Sequence, residues 1–196
     1  MFELSKITVK TLASSLTMYH GLFQHNKCEA KEMEELVAKA IDMDPQYTGS
    51  VNWRSGSHEP GSDIVVGSTK LSIKSGSIRK DILTVSGNRL TKARGDFNVI
   101  NSLLKSYVSD VVICLVYTEI DGVYKVVYVD SSVFLYPSEA KCWLPAMSKK
   151  SGSISSYTWS PDNGLVVKVT PAMSWQVWWH IPIAICRVGP SIPTRK

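Results

Sequence analysis

Residues 26–45 read NKCEAKEMEELVAKAIDMDP. Their apolar positions Met33, Leu36, Val37, Ala40 and Ile41 recur at the spacing of one helix face. Asn26 stands where the N-cap of that helix is expected, with Glu29 at the capping-box position, and Pro45 marks its end. The pattern then shortens. YTGSVNWR, DIVV and KLSIK read as strands, the last two joined by the turn GST, and DILTVSG is a further strand candidate. In TKARGDFNVINSLLKSYV the apolar spacing of Phe97, Ile100, Leu103, Leu104 and Tyr107 is helical again. DVVICLVYT is an unbroken apolar run, as in a strand buried on both faces, and EIDG turns it into VYKVVYVD. Beyond Pro137, PDNG is a turn between SYTWS and LVVKVT, and SWQVWWHIPIAI reads as an aromatic-rich strand.

A helix, three strands, a helix and a strand, followed by a strand-rich extension, predict an α/β fold with a central mixed β-sheet flanked by helices. The 196 residues suit one domain with a sizeable core. The expected division is a catalytic core at about 26–130 and a β-rich extension at about 131–196. No stretch has the roughly 18 apolar residues of a membrane span, and the amino terminus lacks the apolar core of a signal peptide. The expectation is therefore a cytoplasmic protein with no membrane partner. Cys28, Cys114, Cys142 and Cys186 share no C-x-x-C spacing and read as reduced structural thiols.

The net charge is +5, and its placement says more than its size. Between Lys70 and Arg94 stand seven basic residues and one acid, Asp81, so this segment carries +6 and the rest of the chain −1. Such a strip suits a polyanion, because each neutralised phosphate releases counterions. No G-x-x-x-x-G-K-[ST] loop is present, which argues against an ATPase. His20, His25, His58 and His180 show no metal-ligand spacing.

The basic segment begins inside EPGSDIVVGSTKLSIKSG, residues 59–76. Side chains alternate faces along a strand, so Ser72 and Lys74 point the same way and Ile73 points into the core. Asp63 opens the neighbouring strand, and the hairpin brings its carboxylate beside Lys74. A carboxylate next to an ammonium suits phosphodiester hydrolysis. A divalent ion on the carboxylate would lower the pKa of a bound water, and the lysine would orient that water and offset charge on the phosphate.

This arrangement resembles the PD-(D/E)-x-K motif of the nuclease superfamily that includes many type II restriction endonucleases. Pro60-Gly61-Ser62-Asp63 stands at the first half, with two residues inserted, and Ser72-Ile73-Lys74 at the second. The order of elements from about Asn26 to Thr118 is similar as well. The resemblance implies a restriction-endonuclease-like core whose metal site lies at one edge of the sheet. It implies a Mg²⁺-dependent, site-specific endonuclease for double-stranded DNA, with Mn²⁺ as a substitute ion, acting as a homodimer on two-fold symmetric sites. It also implies catalytic roles for Asp63, Ser72 and Lys74. Ser72 replaces the second carboxylate of the motif, so another acid must supply it. Glu34, Glu35, Glu59 and Asp96 are the candidates. Glu34 is preferred because it flanks the apolar stripe of the first helix, whereas Glu35 points more nearly to solvent. Asp63 and Glu34 are then the expected metal ligands.

Arg79, Lys80, Arg89, Lys92 and Arg94 are the candidates for DNA contact, surrounded by the hydroxyls of Ser75, Ser77, Thr84, Ser86 and Thr91. Two other functions are compatible with these residues: a structure-selective repair or recombination nuclease, and a DNA-binding protein that has lost cleavage. Trp143, Trp159, Trp175, Trp178 and Trp179 read as core or dimer packing. Lys168 in PDNGLVVKV has Val166 where the motif wants a carboxylate or serine, so that segment reads as a structural hairpin.

Overall fold

The computed structural model describes residues 2–23, 27–53, 62–90, 93–106, 109–148, 151–171 and 175–194, and the side chains of these except Asn88 and Arg89. The protein is mixed α/β, with a central mixed sheet flanked by helices. It divides into two compact units, each assembled from separated stretches of chain.

The first unit comprises Met1–Ser77, Val108–Ser131 and Cys186–Lys196. It holds helices α1 (Lys6–Leu22) and α2 (Ala30–Asp42). Its strands are β1 (Val51–Trp53), β2 (Ile64–Val66), most of β3 (Thr69–Arg79), β5 (Val111–Thr118), β6 (Val123–Asp130) and β11 (Arg187–Pro193). The strand order is β11-β6-β5-β3, with β2 paired to β3 and β1 to β2. Among the described residues of this unit only β3 and β5 run parallel, from Leu71 opposite Val111 to Gly76 opposite Val116. That pairing needs a long crossover, and the chain makes it between Ser77 and Val108.

The core of this unit lies between the sheet and the two helices. Leu12, Leu16, Met33, Val37 and Ile41 meet Ile64, Leu71, Ile73, Ile113 and Leu115. Each such fully buried side chain contributes roughly 1.5–3 kcal/mol. Two large buried tyrosines carry their hydroxyls to otherwise unpaired amides at helix starts. Tyr128 accepts from Leu4 N at 3.1 Å, and Tyr124 accepts from Cys28 N at 2.8 Å.

Three expectations need correction here. Helix α2 begins at Ala30, with Glu29 itself at the N-cap and no side-chain cap, so Glu29 does not close a capping box; Asn26 lies outside the described residues. A whole helix, α1, precedes it, capped by Ser5, whose Oγ accepts from Ile7 N and Thr8 N, each at 3.1 Å. Strand β3 runs eleven residues, far past KLSIK, and carries the start of the basic strip.

The second unit comprises Ile78–Tyr107 and Ser132–Ile185. Beyond the end of β3 it holds β4 (Ile82–Arg89), α3 (Phe97–Ser106), β7 (Leu144–Met147), β8 (Ile154–Trp159), β9 (Val166–Thr170) and β10 (Gln176–Pro182). Its strand order is β4-β10-β9-β8-β7. Helix α3 starts after Asp96, whose Oδ1 caps it by accepting from Asn98 N and Val99 N. The run SWQVWWHIPIAI is strand only to Pro182, and Ile183–Ile185 form a short 3-10 turn. Trp143 and Trp179 are buried here, their indole N–H groups donating to Asn101 Oδ1 at 2.9 Å and Leu135 O at 3.4 Å. Gly87 has no Cβ for a reason of space: one would sit 2.3 Å from the Trp179 ring. Cys28 and Cys114 are buried, and Cys142 and Cys186 are partly exposed.

Candidate active site

Strand β2 is short, and its antiparallel pairing with β3 aligns Ile64 with Leu71. Asp63 closes that ladder, donating its own N–H to Leu71 O at 2.9 Å. The next β3 amide, Ile73 N, is taken by the Asp63 side chain instead: Oδ2 accepts from it at 2.7 Å. A buried amide must find an acceptor, and here the carboxylate supplies one where β2 has ended.

Two side chains from the same strand join it. Ser72 Oγ donates to Asp63 Oδ2 at 2.8 Å, and Lys74 Nζ lies 3.3 Å from the same oxygen. Three donors thus converge on one carboxylate oxygen. Ser72 is buried and Ile73 is in the core, while the Asp63 and Lys74 side chains keep 20% and 24% exposure. The pair is therefore sheltered but reachable from solvent.

Glu34, in the second turn of α2, belongs to the same electrostatic neighbourhood. Its carboxyl is pushed up to about 7, first by burial and then by the negative charge of Asp63, with Lys74 pulling the other way. One ammonium does not neutralise two sheltered carboxylates, so Glu34 holds its proton towards neutral pH. Glu35, its neighbour in sequence, is engaged on the helix surface by Lys39 at 2.6 Å. Asp96 caps α3 in the second unit. Glu59, Pro60 and Gly61 lie outside the described residues, as do His25 and His58.

Of the residues singled out in the sequence, Asp63, Ser72 and Lys74 come together, and Glu34 feels the charges of Asp63 and Lys74. The Ile73 N–H was not foreseen. Its signal was the aspartate placed just before a strand of three residues, where the carboxylate replaces the missing ladder acceptor. Ser72 is a donor that fixes one oxygen of Asp63, which is a different service from that of a second acid.

Oxygen ligands from carboxylates are the donor chemistry of a hard divalent cation. Asp63 and Glu34 are the residues that could hold such an ion, with water completing the shell. Among the described residues no group of three or more His, Cys, Asp or Glu could hold a metal ion.

The DNA-contact candidates lie in the second unit. Arg79 and Lys80 are exposed at the turn from β3 to β4, and among the described residues neither makes an ion pair. Lys80 and Asp81 both have positive φ, 49° and 59°, as the central residues of a tight hairpin turn do. Arg94 is exposed just before α3. The side chain of Arg89, and all of Thr91 and Lys92, lie outside the described residues. The second unit holds ten Lys and Arg against four Asp and Glu, a net +6, and the first unit twelve against thirteen, a net −1.

No protein-family model and no curated protein matches the chain. Among solved structures, one described as a restriction endonuclease in complex with substrate DNA is similar at a TM-score of 0.44 and 13% sequence identity. The similarity spans 64% of this chain and 61% of that one. No helix among the described residues is long and apolar enough to cross a membrane.

Proposed function

We propose that the protein is a Mg²⁺-dependent endonuclease for double-stranded DNA, cutting at specific sites in the manner of a type II restriction enzyme. The observation that carries this reading is the convergence of Ser72, Ile73 N–H and Lys74 on one oxygen of Asp63, with Glu34 in electrostatic reach of both charges.

Each residue has a definable task. The Ser72 hydroxyl and the Ile73 amide hold the Asp63 carboxylate at a set angle, so it pays little reorganisation on binding a cation. Asp63 and Glu34 would hold the ion. The bound ion would supply a more acidic water and a Lewis acid for the phosphate. Lys74, kept in place by Asp63, orients the attacking water and offsets the negative charge that grows on the phosphate as one P–O ester bond breaks. Glu34 must release its proton to act as a ligand, which couples ion binding to pH. The net +6 of the second unit supports a polyanionic substrate. Cutting both strands of a symmetric site would require two copies of the chain.

Incubation of the purified protein with phage DNA and Mg²⁺ tests the reading. Discrete fragments support a restriction-type enzyme. Cleavage of branched DNA alone would point to a repair or recombination nuclease, and binding without cleavage to a DNA-binding protein.

A further inference from the structure

The second unit's sheet has one buried, apolar face and one partly exposed face, on which Val166 and Pro182 stand among polar residues. Val85, Val167, Val177, Trp179 and Ile181 are buried on the first. The opposite face of the same strands stays partly exposed, even on the inner strands β9 and β10. A row crosses it by register: Ser86 opposite Trp178, Trp178 opposite Lys168, and Lys168 opposite Thr158. Beside that row, Thr84 pairs with His180, Oγ1 to Nδ1 at 3.1 Å.

The chemistry of this face is one-sided. Antiparallel sheets that merely face water usually place opposite charges across strands. None of β4, β7, β8, β9 and β10 contains an aspartate or glutamate. Among the described residues Lys168 makes no ion pair. Its charge instead acts on His180, whose imidazole is held below its usual value by burial and by Lys168. A lysine with no ion pair among the described residues, three hydroxyls and a partly exposed indole thus lie side by side, in the unit that carries net +6. Hydroxyls and lysines are the usual partners of phosphate oxygens, and a flat indole packs against a sugar or base.

We infer that this face, centred on Lys168 and Trp178, is a second DNA-contact surface that binds the phosphodiester backbone of the duplex. It shares Ser86 with the arginine-rich segment of residues 79–94, whereas Lys168, Trp178 and Thr158 lie outside that segment. The occupant rests on the proposed DNA substrate; the surface itself rests on register, exposure and charge. Lys168 neutralises a phosphate, Ser86 donates to its neighbour, and Trp178 packs on the deoxyribose between them.

The test is binding of the full chain to a 30-base-pair duplex, by fluorescence anisotropy in EDTA across a series of KCl concentrations. Loss of one phosphate contact should make the slope of log K against log salt shallower by about 0.9. Lys168→Gln should show that change and bind about fivefold more weakly, as expected for one lost charged contact. Trp178→Ala should weaken binding with the slope nearly unchanged, and Trp178→Phe should recover part of the loss. Lys105→Gln, an equal loss of charge in the last turn of α3, serves as the control. Circular dichroism of each variant checks the fold. Wild-type binding by both Lys168→Gln and Trp178→Ala would overturn the surface while leaving the nuclease reading intact. So would a loss in Lys105→Gln as large as that in Lys168→Gln. If the variants weaken binding but the wild-type protein never cleaves DNA with Mg²⁺, the surface stands and the nuclease reading falls.

Discussion

Asp63, just before β2, and Lys74, on the adjacent β3, meet at 3.3 Å with both side chains sheltered, and Asp63 is also tied to the Ile73 amide at 2.7 Å. That second bond decides how the pair should be probed. Asp63→Ala would strip the acceptor from Ile73 N–H and Ser72 together, and a buried donor left unpaired costs about 1–3 kcal/mol. Asp63→Asn keeps an acceptor oxygen and removes the charge. It should cut cleavage by about 10³-fold or more, as loss of a charge-stabilising group in an active site does, while the protein stays folded and binds DNA. Lys74→Ala should do the same. Plasmid cleavage assays alongside binding assays check both, and near-wild-type cutting by either variant removes these residues from the active site.

The proposed ligands are all oxygens, and hydrolysis favours a small ion with tight octahedral geometry. Activity should therefore appear with Mg²⁺ or Mn²⁺, vanish in EDTA, and not be restored by Ca²⁺, which still supports binding. Cleavage that persists in excess EDTA would exclude the metal-assisted reading.

Legibility in the sequence followed periodicity. The run DVVICLVYT could only be a strand buried on both sides, and β5 is that strand. Strand alternation put Ser72 and Lys74 on one side and Ile73 on the other. Helical spacing put Glu34 at the rim of the α2 stripe, and it is partly buried there. Helix α1 was missed because its pattern is partly inverted: Thr8 is buried while Ile7, Met18 and Leu22 are exposed. The β3–β4 connection was missed because its turn uses Lys80 and Asp81 at positive φ, where glycine or asparagine is the usual signal. The two interleaved units could not be read at all, since the parallel pairing of β3 with β5 depends on contacts across thirty residues of intervening chain.

The start of α1 is anchored by an acid. Asp44 is buried; its Oδ2 accepts from Thr8 Oγ1 at 2.8 Å and from the cap residue Ser5, and its Oδ1 accepts from Gln46 N at 3.0 Å. The Ser5 hydrogen bond is the main cause that holds the Asp44 carboxyl below its ordinary value of 3.8, against the opposing effect of burial. The charged form is therefore favoured by folding. Its stabilisation is complete above that ordinary value and is lost as pH falls through the lower, folded-state value. Asp44→Asn should lower the urea midpoint at pH 7, and the difference from wild type should shrink in strongly acidic solution. Parallel urea titrations at pH 7 and pH 2.5 measure it; a difference that does not change with pH would mean that the charge of Asp44 is not what anchors the helix.

Glu34 should behave in the opposite sense. Its carboxyl rises from 4.5 to about 7, by burial and by the charge of Asp63, so the folded state holds the proton more tightly than the unfolded chain does. Between those two values the folded protein binds more protons, and stability falls as pH rises through that window. Below it the group costs nothing; above it the buried, repelled charge is a standing penalty. Glu34→Gln removes that penalty. Without metal the variant should be more stable than wild type at pH 8 by roughly 1 kcal/mol, a modest figure because water screens a half-buried group. At pH 4 the two should be equal. Mg²⁺ should raise the stability of wild type at pH 8, closing the gap, and should do much less for Glu34→Gln. Cleavage by the variant should fall by orders of magnitude, whereas Glu35→Gln should leave it near wild type. Urea unfolding at both pH values, with and without Mg²⁺, separates a ligand from a bystander. A Glu34→Gln protein that is no more stable at pH 8, or that gains as much from Mg²⁺ as wild type does, would show that this carboxylate is not part of the ion site.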